Sequence, residues 1–295
     1  MVSFALALNS TSSLLSSLKP PLRLDVSSKD GTAPLAEDLA DDSRYQVYQF
    51  HSEILPDDRT VQVYLPPQYM EEEERRFPVF YLHDGQNLFD GRTSYIPGQT
   101  WKAHATADRL SAEGQIEPVI LVGVANTGLR RMAEYTPTRD MKLGGGEGRR
   151  YGRLLVEELK PWVDATFRTL AGAGDTGLGG SSLGGLISLF LGWEYPTVFS
   201  KLAVMSPSVW WDHRSILSIF DKREPKPDLR IWMDIGTAEG ARQIRDADLL
   251  EQVLLKHGWQ LGVDLAYEKA EGAVHDEQAW AERFGDVLRF LFPAG

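Results

Sequence analysis

The chain has 295 residues, 42% of them hydrophobic, and a formal net charge of -11. That size suits one catalytic domain with its own core and a short leader, and the negative balance argues against a nucleic-acid partner, whose phosphates need a basic surface. With no cysteine, a disulfide scaffold, a thiolate zinc site, an iron–sulfur cluster and a cysteine nucleophile are excluded together, and no two of the six histidines have the i, i+4 spacing of a zincin-type site.

Residues 1–18 are rich in Ser and Leu, with no positive charge ahead of the short apolar stretch Phe4–Leu8. No apolar run is long enough to span a bilayer. The segment reads as a cytoplasmic leader or a short capping helix, with a degenerate export signal as the alternative. Pro20-Pro21 and the Asp, Ser, Gly and Ala that follow are linker chemistry. Residues 1–44 are therefore expected to be a partly flexible leader, and 45–295 the catalytic domain.

Tyr45–Phe50 and Thr60–Leu65 alternate apolar and polar residues on either side of the turn Pro56-Asp57-Asp58, as an antiparallel hairpin does. Val79–Leu82 and Val119–Val124 are continuous apolar runs, suited to strands buried on both faces of a parallel sheet. Leu154–Val163 has helical apolar spacing, and Leu183–Leu191 reads as a buried helix behind a Gly/Ser turn. Leu202–Met205, Leu229–Met233 and Val263–Tyr267 are further strand candidates, and Trp280–Phe292 closes the chain as an amphipathic helix. The alternation predicts an α/β fold: a mostly parallel central sheet, helices on both faces, and an N-terminal antiparallel hairpin.

The strongest chemical signal is Gly180-Ser181-Ser182-Leu183-Gly184, which holds G-x-S-x-G in a single frame centred on Ser182. A nucleophile there sits on a sharp strand-to-helix turn, which small neighbours allow to close. A plain Gly/Ser helix cap is the competing reading, but a strand before and a helix after favour the elbow. Upstream, His83-Asp84-Gly85-Gln86 follows a buried strand. In an α/β hydrolase that turn supplies one backbone N–H of the oxyanion hole. The residue after the nucleophile, Leu183, supplies the other.

His275 lies after the last strand and before the closing helix, where the base of a Ser…acid…His order belongs. Two carboxylates compete for the acid. Glu239 lies in the loop past Gly236 and is favoured on placement, while Asp234 still belongs to the strand, where burial would demand its own partners. Tyr95, Trp101, Ser208, Trp210 and Trp211 are candidate pocket residues for an aryl or sugar-like group, with core packing as the alternative for the tryptophans. Arg130, Arg131 and Glu134 are expected to form an ion-pair network at the same rim.

From Tyr45 to Phe292 the chain resembles the esterase family that groups esterase D, enterochelin-type esterases, feruloyl esterases and mycolyltransferases. The matching pieces include "VYLPPQY", "YLHDGQNLFD", "GLGGSSLGGLISL", "MSPSVWW", "DIGTAEG" and "VHDEQAW". The resemblance implies the α/β-hydrolase fold, Ser182 as nucleophile, His275 as base, Glu239 at the acid position and oxyanion donors near Gln86 and Leu183. Some relatives work with a Ser/His dyad, which leaves the role of Glu239 open. The expected function is a serine carboxylic-ester hydrolase acting through an acyl-enzyme on a small-molecule ester. It needs no cofactor or metal, and association into a homo-oligomer is left open. The alternatives are an acyltransferase using the same residues and a non-catalytic binding protein on the same fold.

Overall fold

The computed structural model describes residues 20–24, 39, 42–220 and 225–295. The Ser/Leu-rich opening segment and most of the expected linker lie outside the described residues. Nine strands form one sheet. In chain order they are β1 (Leu22–Leu24), β2 (Tyr45–Phe50), β3 (Arg59–Tyr64), β4 (Val79–His83), β5 (Ile120–Val124), β6 (Thr176–Ser181), β7 (Lys201–Met205), β8 (Arg230–Gly236) and β9 (Leu265–Ala270). Their spatial order is β1-β2-β3-β5-β4-β6-β7-β8-β9. From β5 to β9 neighbouring strands are parallel, while β1, β2 and β3 join antiparallel at the other side. This is the α/β-hydrolase arrangement.

Successive side chains of a strand point to opposite faces, and the core divides accordingly. On one face Tyr81, Val122, Leu178 and Val204 pack with Leu155, Leu186 and Phe190. On the other, Phe80, Leu82, Leu121 and Met205 pack with Leu110, Phe284 and Leu288. The first face is covered by α2, α3 (Leu183–Glu194) and α4 (Ala241–Lys256), where α2 runs through Gly148–Arg153, a π turn at Leu154–Leu159 and Lys160–Thr166. The second is covered by α1 (Ala103–Ala112) and α5 (Glu277–Leu291). Because both faces are covered, the central strands read as unbroken apolar runs rather than alternating ones.

The structure departs from the sequence reading in three elements. The expected linker contributes β1, whose Leu22–Leu24 pairs with Val47–Gln49. Helices α1 and α4 were not legible, because Ala, Asp, Arg and Gln dominate them and only a narrow stripe, such as Ala247, Leu250 and Leu254, is buried.

Candidate active site

Strand β6 ends at Ser181 and α3 begins at Leu183, so Ser182 alone makes the turn, at φ 60° and ψ -120°. A serine with positive φ costs about 1–3 kcal/mol and persists only where its surroundings over-determine it. Here the Ser182 N–H donates to the Met205 carbonyl at 3.0 Å, and its own carbonyl accepts from Leu186 and Ser208 N–H. The flanking glycines are there for space. A Cβ on Gly180 would stand 3.1 Å from the His83 Cβ, and one on Gly185 would stand 2.9 Å from the Met205 carbonyl oxygen.

His275 leaves the loop after β9 and lies edge-on to Trp280, with ring centroids 4.9 Å apart. Its Nδ1 is 2.6 Å from Glu239 Oε2. The other oxygen of Glu239 accepts from Ser206 Oγ at 2.6 Å and from the Gly236 N–H at 2.8 Å. The Glu239 side chain is 1% exposed, while that of His275 is 43% exposed. Burial opposes ionisation of Glu239, but the hydrogen bonds from His275, Ser206 and Gly236 outweigh it and hold the carboxyl below its ordinary range.

Asp234 lies directly behind this pair and does not reach His275. Its carboxylate accepts from Arg283 Nη2 at 3.0 Å, Trp232 Nε1 at 2.9 Å and the Ser206 N–H at 3.2 Å. Arg283 Nη2 and Trp280 Nε1 also donate to Ser206 Oγ, at 3.1 and 2.9 Å. One connected network thus runs from Asp234 through Arg283 and Ser206 to Glu239 and His275. Ser206 and Trp280 lie inside the matching pieces "MSPSVWW" and "VHDEQAW" without a role that the sequence assigns, and Arg283 lies outside both. Trp280 and Arg283 sit three apart on the helix after His275, which places them on one face.

The His83–Gln86 turn approaches from β4. Asp84 adopts φ 55°, and a Cβ on Gly85 would lie 2.5 Å from the backbone carbon of Gly123, so this turn docks flush against β5. Arg131 binds Asp84 bidentately, Nε to Oδ1 at 2.8 Å and Nη2 to Oδ2 at 2.7 Å. Burial pushes the Asp84 carboxyl upward, but Arg131 and Asn126 outweigh it and keep it below the ordinary range. Leu183 opens α3 and Gln86 lies at the start of a 3-10 turn. The first N–H groups of a helix have no intrahelical acceptor, so both can serve an incoming oxyanion.

Ser182 and His275 face two cavities. The larger, about 470 Å³, is bounded by Gln86, Tyr95, Leu129, Met132, Glu277 and Trp280. The smaller, about 280 Å³, is bounded by Pro207, Ser208, Trp210 and Gln243. Of the expected pocket residues, Tyr95, Ser208 and Trp210 therefore border the cavities. Trp101 and Trp211 do not, and this corrects the sequence reading: Trp101 packs on Phe284 and Trp280, and Trp211 is buried with its Nε1 bonded to the Thr138 carbonyl at 3.0 Å. The expected Arg130–Arg131–Glu134 network forms in part. Arg130 reaches Glu134 at 3.9 Å, Glu147 at 2.7 Å and Asp57 at 3.3 Å, and Glu134 also takes the fully buried Arg59 at 3.2 Å, while Arg131 turns away to Asp84. Among the described residues no cluster of His, Asp and Glu suits a metal ion, and no helix is long and apolar enough to cross a membrane.

The sheet order, the strained serine after β6 and the carboxylate-bound histidine after β9 define an α/β hydrolase. Comparison with known proteins gives the family. Residues 52–291 match the Esterase family, described as "Putative esterase". The uncharacterized protein YbbA of Bacillus subtilis is 26% identical over 79% of this chain and 92% of its own. An endo-1,4-beta-xylanase/feruloyl esterase of Xylanibacter ruminicola is 30% identical over 84% of this chain, which spans 31% of that longer protein. Among solved structures, an IroE-like serine hydrolase from Shewanella oneidensis has a TM-score of 0.69 at 24% identity, covering 84% of this chain and 80% of that one. The chain belongs to this esterase family and is a carboxylic-ester hydrolase.

Proposed function

We propose that hydrolysis proceeds through an acyl-enzyme on Ser182, with His275 as general base and Glu239 as the acid that orients it. The observation that carries this reading is the 2.6 Å contact from His275 Nδ1 to a buried, thrice-bonded Glu239, beside a serine held at positive φ. Glu239 fixes the tautomer with hydrogen on Nδ1, so Nε2 is free to accept a proton.

Ser182 Oγ rests 3.3 Å from Ser208 Oγ. For reaction its side chain rotates toward His275, whose Nε2 takes the hydroxyl proton as Oγ bonds to the ester carbonyl carbon. The negative oxygen of the tetrahedral intermediate accepts from the Gln86 and Leu183 N–H groups. Collapse expels the alkoxide, which leaves with the proton from His275. Water then repeats the sequence: it loses a proton to His275, attacks the acyl carbon, and releases the acid as Ser182 recovers its proton. Tyr95 and Trp210, one at each cavity, supply aromatic surface for an aryl or sugar-like group on either side of the ester. The feruloyl esterase named among the relatives supports an aryl acyl group.

The test is Ser182→Ala together with labelling by a serine-directed phosphonate. The variant is expected to lose on the order of 10⁴–10⁶ in kcat, by analogy with loss of a triad serine elsewhere, at unchanged melting temperature, and the phosphonate is expected on Ser182 alone. Labelling of Ser181 or Ser208 instead, with Ser182→Ala active, would overturn the assignment.

A further inference from the structure

Glu277 is the first residue of α5, two positions after His275, and it has no place in the mechanism above. It is 6% exposed, yet it borders the larger cavity together with Ser182 and His275. Its Oε1 accepts from Asn87 Nδ2 at 3.0 Å. Asn87 in turn accepts through Oδ1 from the Tyr95 N–H at 2.9 Å and from Ser94 Oγ at 3.3 Å. The carboxyl is therefore braced against the loop that carries the aromatic wall of the cavity.

Among the described residues Glu277 makes no ion pair. Arg131, in the same cavity wall, has Nε and Nη2 committed to Asp84. A buried carboxylate without an ion-paired cation is expensive. Burial, aided by Asp84 and Asp276, outweighs the hydrogen bond from its own backbone N–H and the charge of His275, and pushes its carboxyl above the ordinary range. An acid at the first position of α5 gains a little from the helix dipole, but an amide there could accept from Asn87 Nδ2 as well. A ligand that donates a hydrogen bond would offset the cost.

We infer that Glu277 is a specificity-determining residue: it accepts a hydrogen bond from a hydroxyl or ammonium group on the part of the ester that fills the larger cavity, and it rejects a carboxylate there. The inference rests on the ester-cleaving site proposed above. It narrows the substrate to esters whose larger group is neutral and hydroxylated, or cationic. A lost hydrogen bond to a buried charged group is worth about 10–100-fold in binding, and an introduced like charge is opposed at least as strongly.

The test uses two matched sets of esters, because either side of the ester can occupy the larger cavity. On the acyl side they are the methyl esters of cinnamate, 4-hydroxycinnamate and 4-carboxycinnamate. On the alcohol side they are phenyl, 4-hydroxyphenyl and 4-carboxyphenyl acetate. Comparing each variant with the unaltered enzyme cancels the intrinsic reactivity of the esters. In one set, Glu277→Gln is expected to raise kcat/KM for the carboxylate member about tenfold relative to the unsubstituted one, and Glu277→Leu to lower the hydroxyl member about tenfold. Ratios that stay within about twofold of the unaltered enzyme in both sets overturn the inference. If neither variant folds, the unaltered enzyme decides: a preference for the hydroxyl over the carboxylate member in neither set overturns it equally. Failure of the underlying site reads differently, as full activity of Ser182→Ala on these same esters.

Discussion

Two regions meet at Ser182, and they are built on opposite plans. Behind His275, the network of Asp234, Arg283, Ser206 and Glu239 is buried, and its oxygens are bonded from several directions. Across the cleft, the rim of the larger cavity carries Tyr95 at 83% exposure and Leu129 fully exposed. A group that must hold an imidazole in one orientation needs low dielectric and no freedom, because misplacement of a base costs rate steeply. A wall that receives varied substrates gains from standing in water, where a side-chain change has small consequences for the fold. The contrast teaches that the orientation of the imidazole is stored in a buried shell while the exposed rim is left free to vary; Glu277, buried between the two, is built on the first plan.

The sharpest way to break the comparison is to uncouple Glu239 from His275. Glu239→Gln keeps the shape and is expected to lower kcat by about 10²–10⁴-fold, the range between an oriented and a mis-oriented imidazole. Steady-state kinetics check this, and a near-normal kcat would leave a Ser182/His275 dyad. The same variant has a pH signature. Glu239 and Asp84 are both held below the ordinary carboxyl range in the folded state. Each contributes stability that is present above its unfolded pKa, about 4, and is lost as pH falls through its lower folded value. The melting temperature of the unaltered protein should fall as pH drops from about 5 to about 3, and Glu239→Gln should flatten part of that fall.

A smaller effect is expected one step further back. Ser206→Ala removes the hydroxyl that joins Glu239 to Trp280 and Arg283, but leaves the Gly236 N–H on the carboxylate. As a positioning residue, it should lower kcat about tenfold with KM little changed and shift the acid limb of the pH–rate profile. An equal change in KM would make its role merely structural. The smallest effect belongs to the rim. Leu129→Ser should move kcat/KM by less than about threefold and stability by less than about 0.5 kcal/mol, read from ester kinetics and thermal melts. A loss as large as that of Ser206→Ala would erase the distinction between the two regions.

What could be read from the sequence follows the same division. The central strands announced themselves because both of their faces are buried, and Ser182 because its turn tolerates only small neighbours at Gly180 and Gly184. His275 and Glu239 were approachable through their order along the chain. Arg283, Ser206 and Glu277 were not, since each acts through a contact between residues far apart in sequence, such as Arg283 with Asp234 and Glu277 with Asn87. The tryptophans failed for a related reason. Composition cannot tell an aromatic that lines a cleft, such as Trp210, from its neighbour Trp211, which turns inward and satisfies its indole N–H on a backbone carbonyl.

The short strand β1 has a consequence outside catalysis. It lies along the outer border of β2, and it is three residues long against the six of β2. At the other border, β9 carries Glu268 and Lys269 in its run. A sheet of this size could in principle act as a template on which a second molecule adds its own strand. One border is closed by a stub too short to copy, and the other is punctuated by charge. Removing the chain up to residue 24 would leave Tyr45–Phe50 as the border strand, its outward backbone N–H and C=O groups open to pairing with a second molecule.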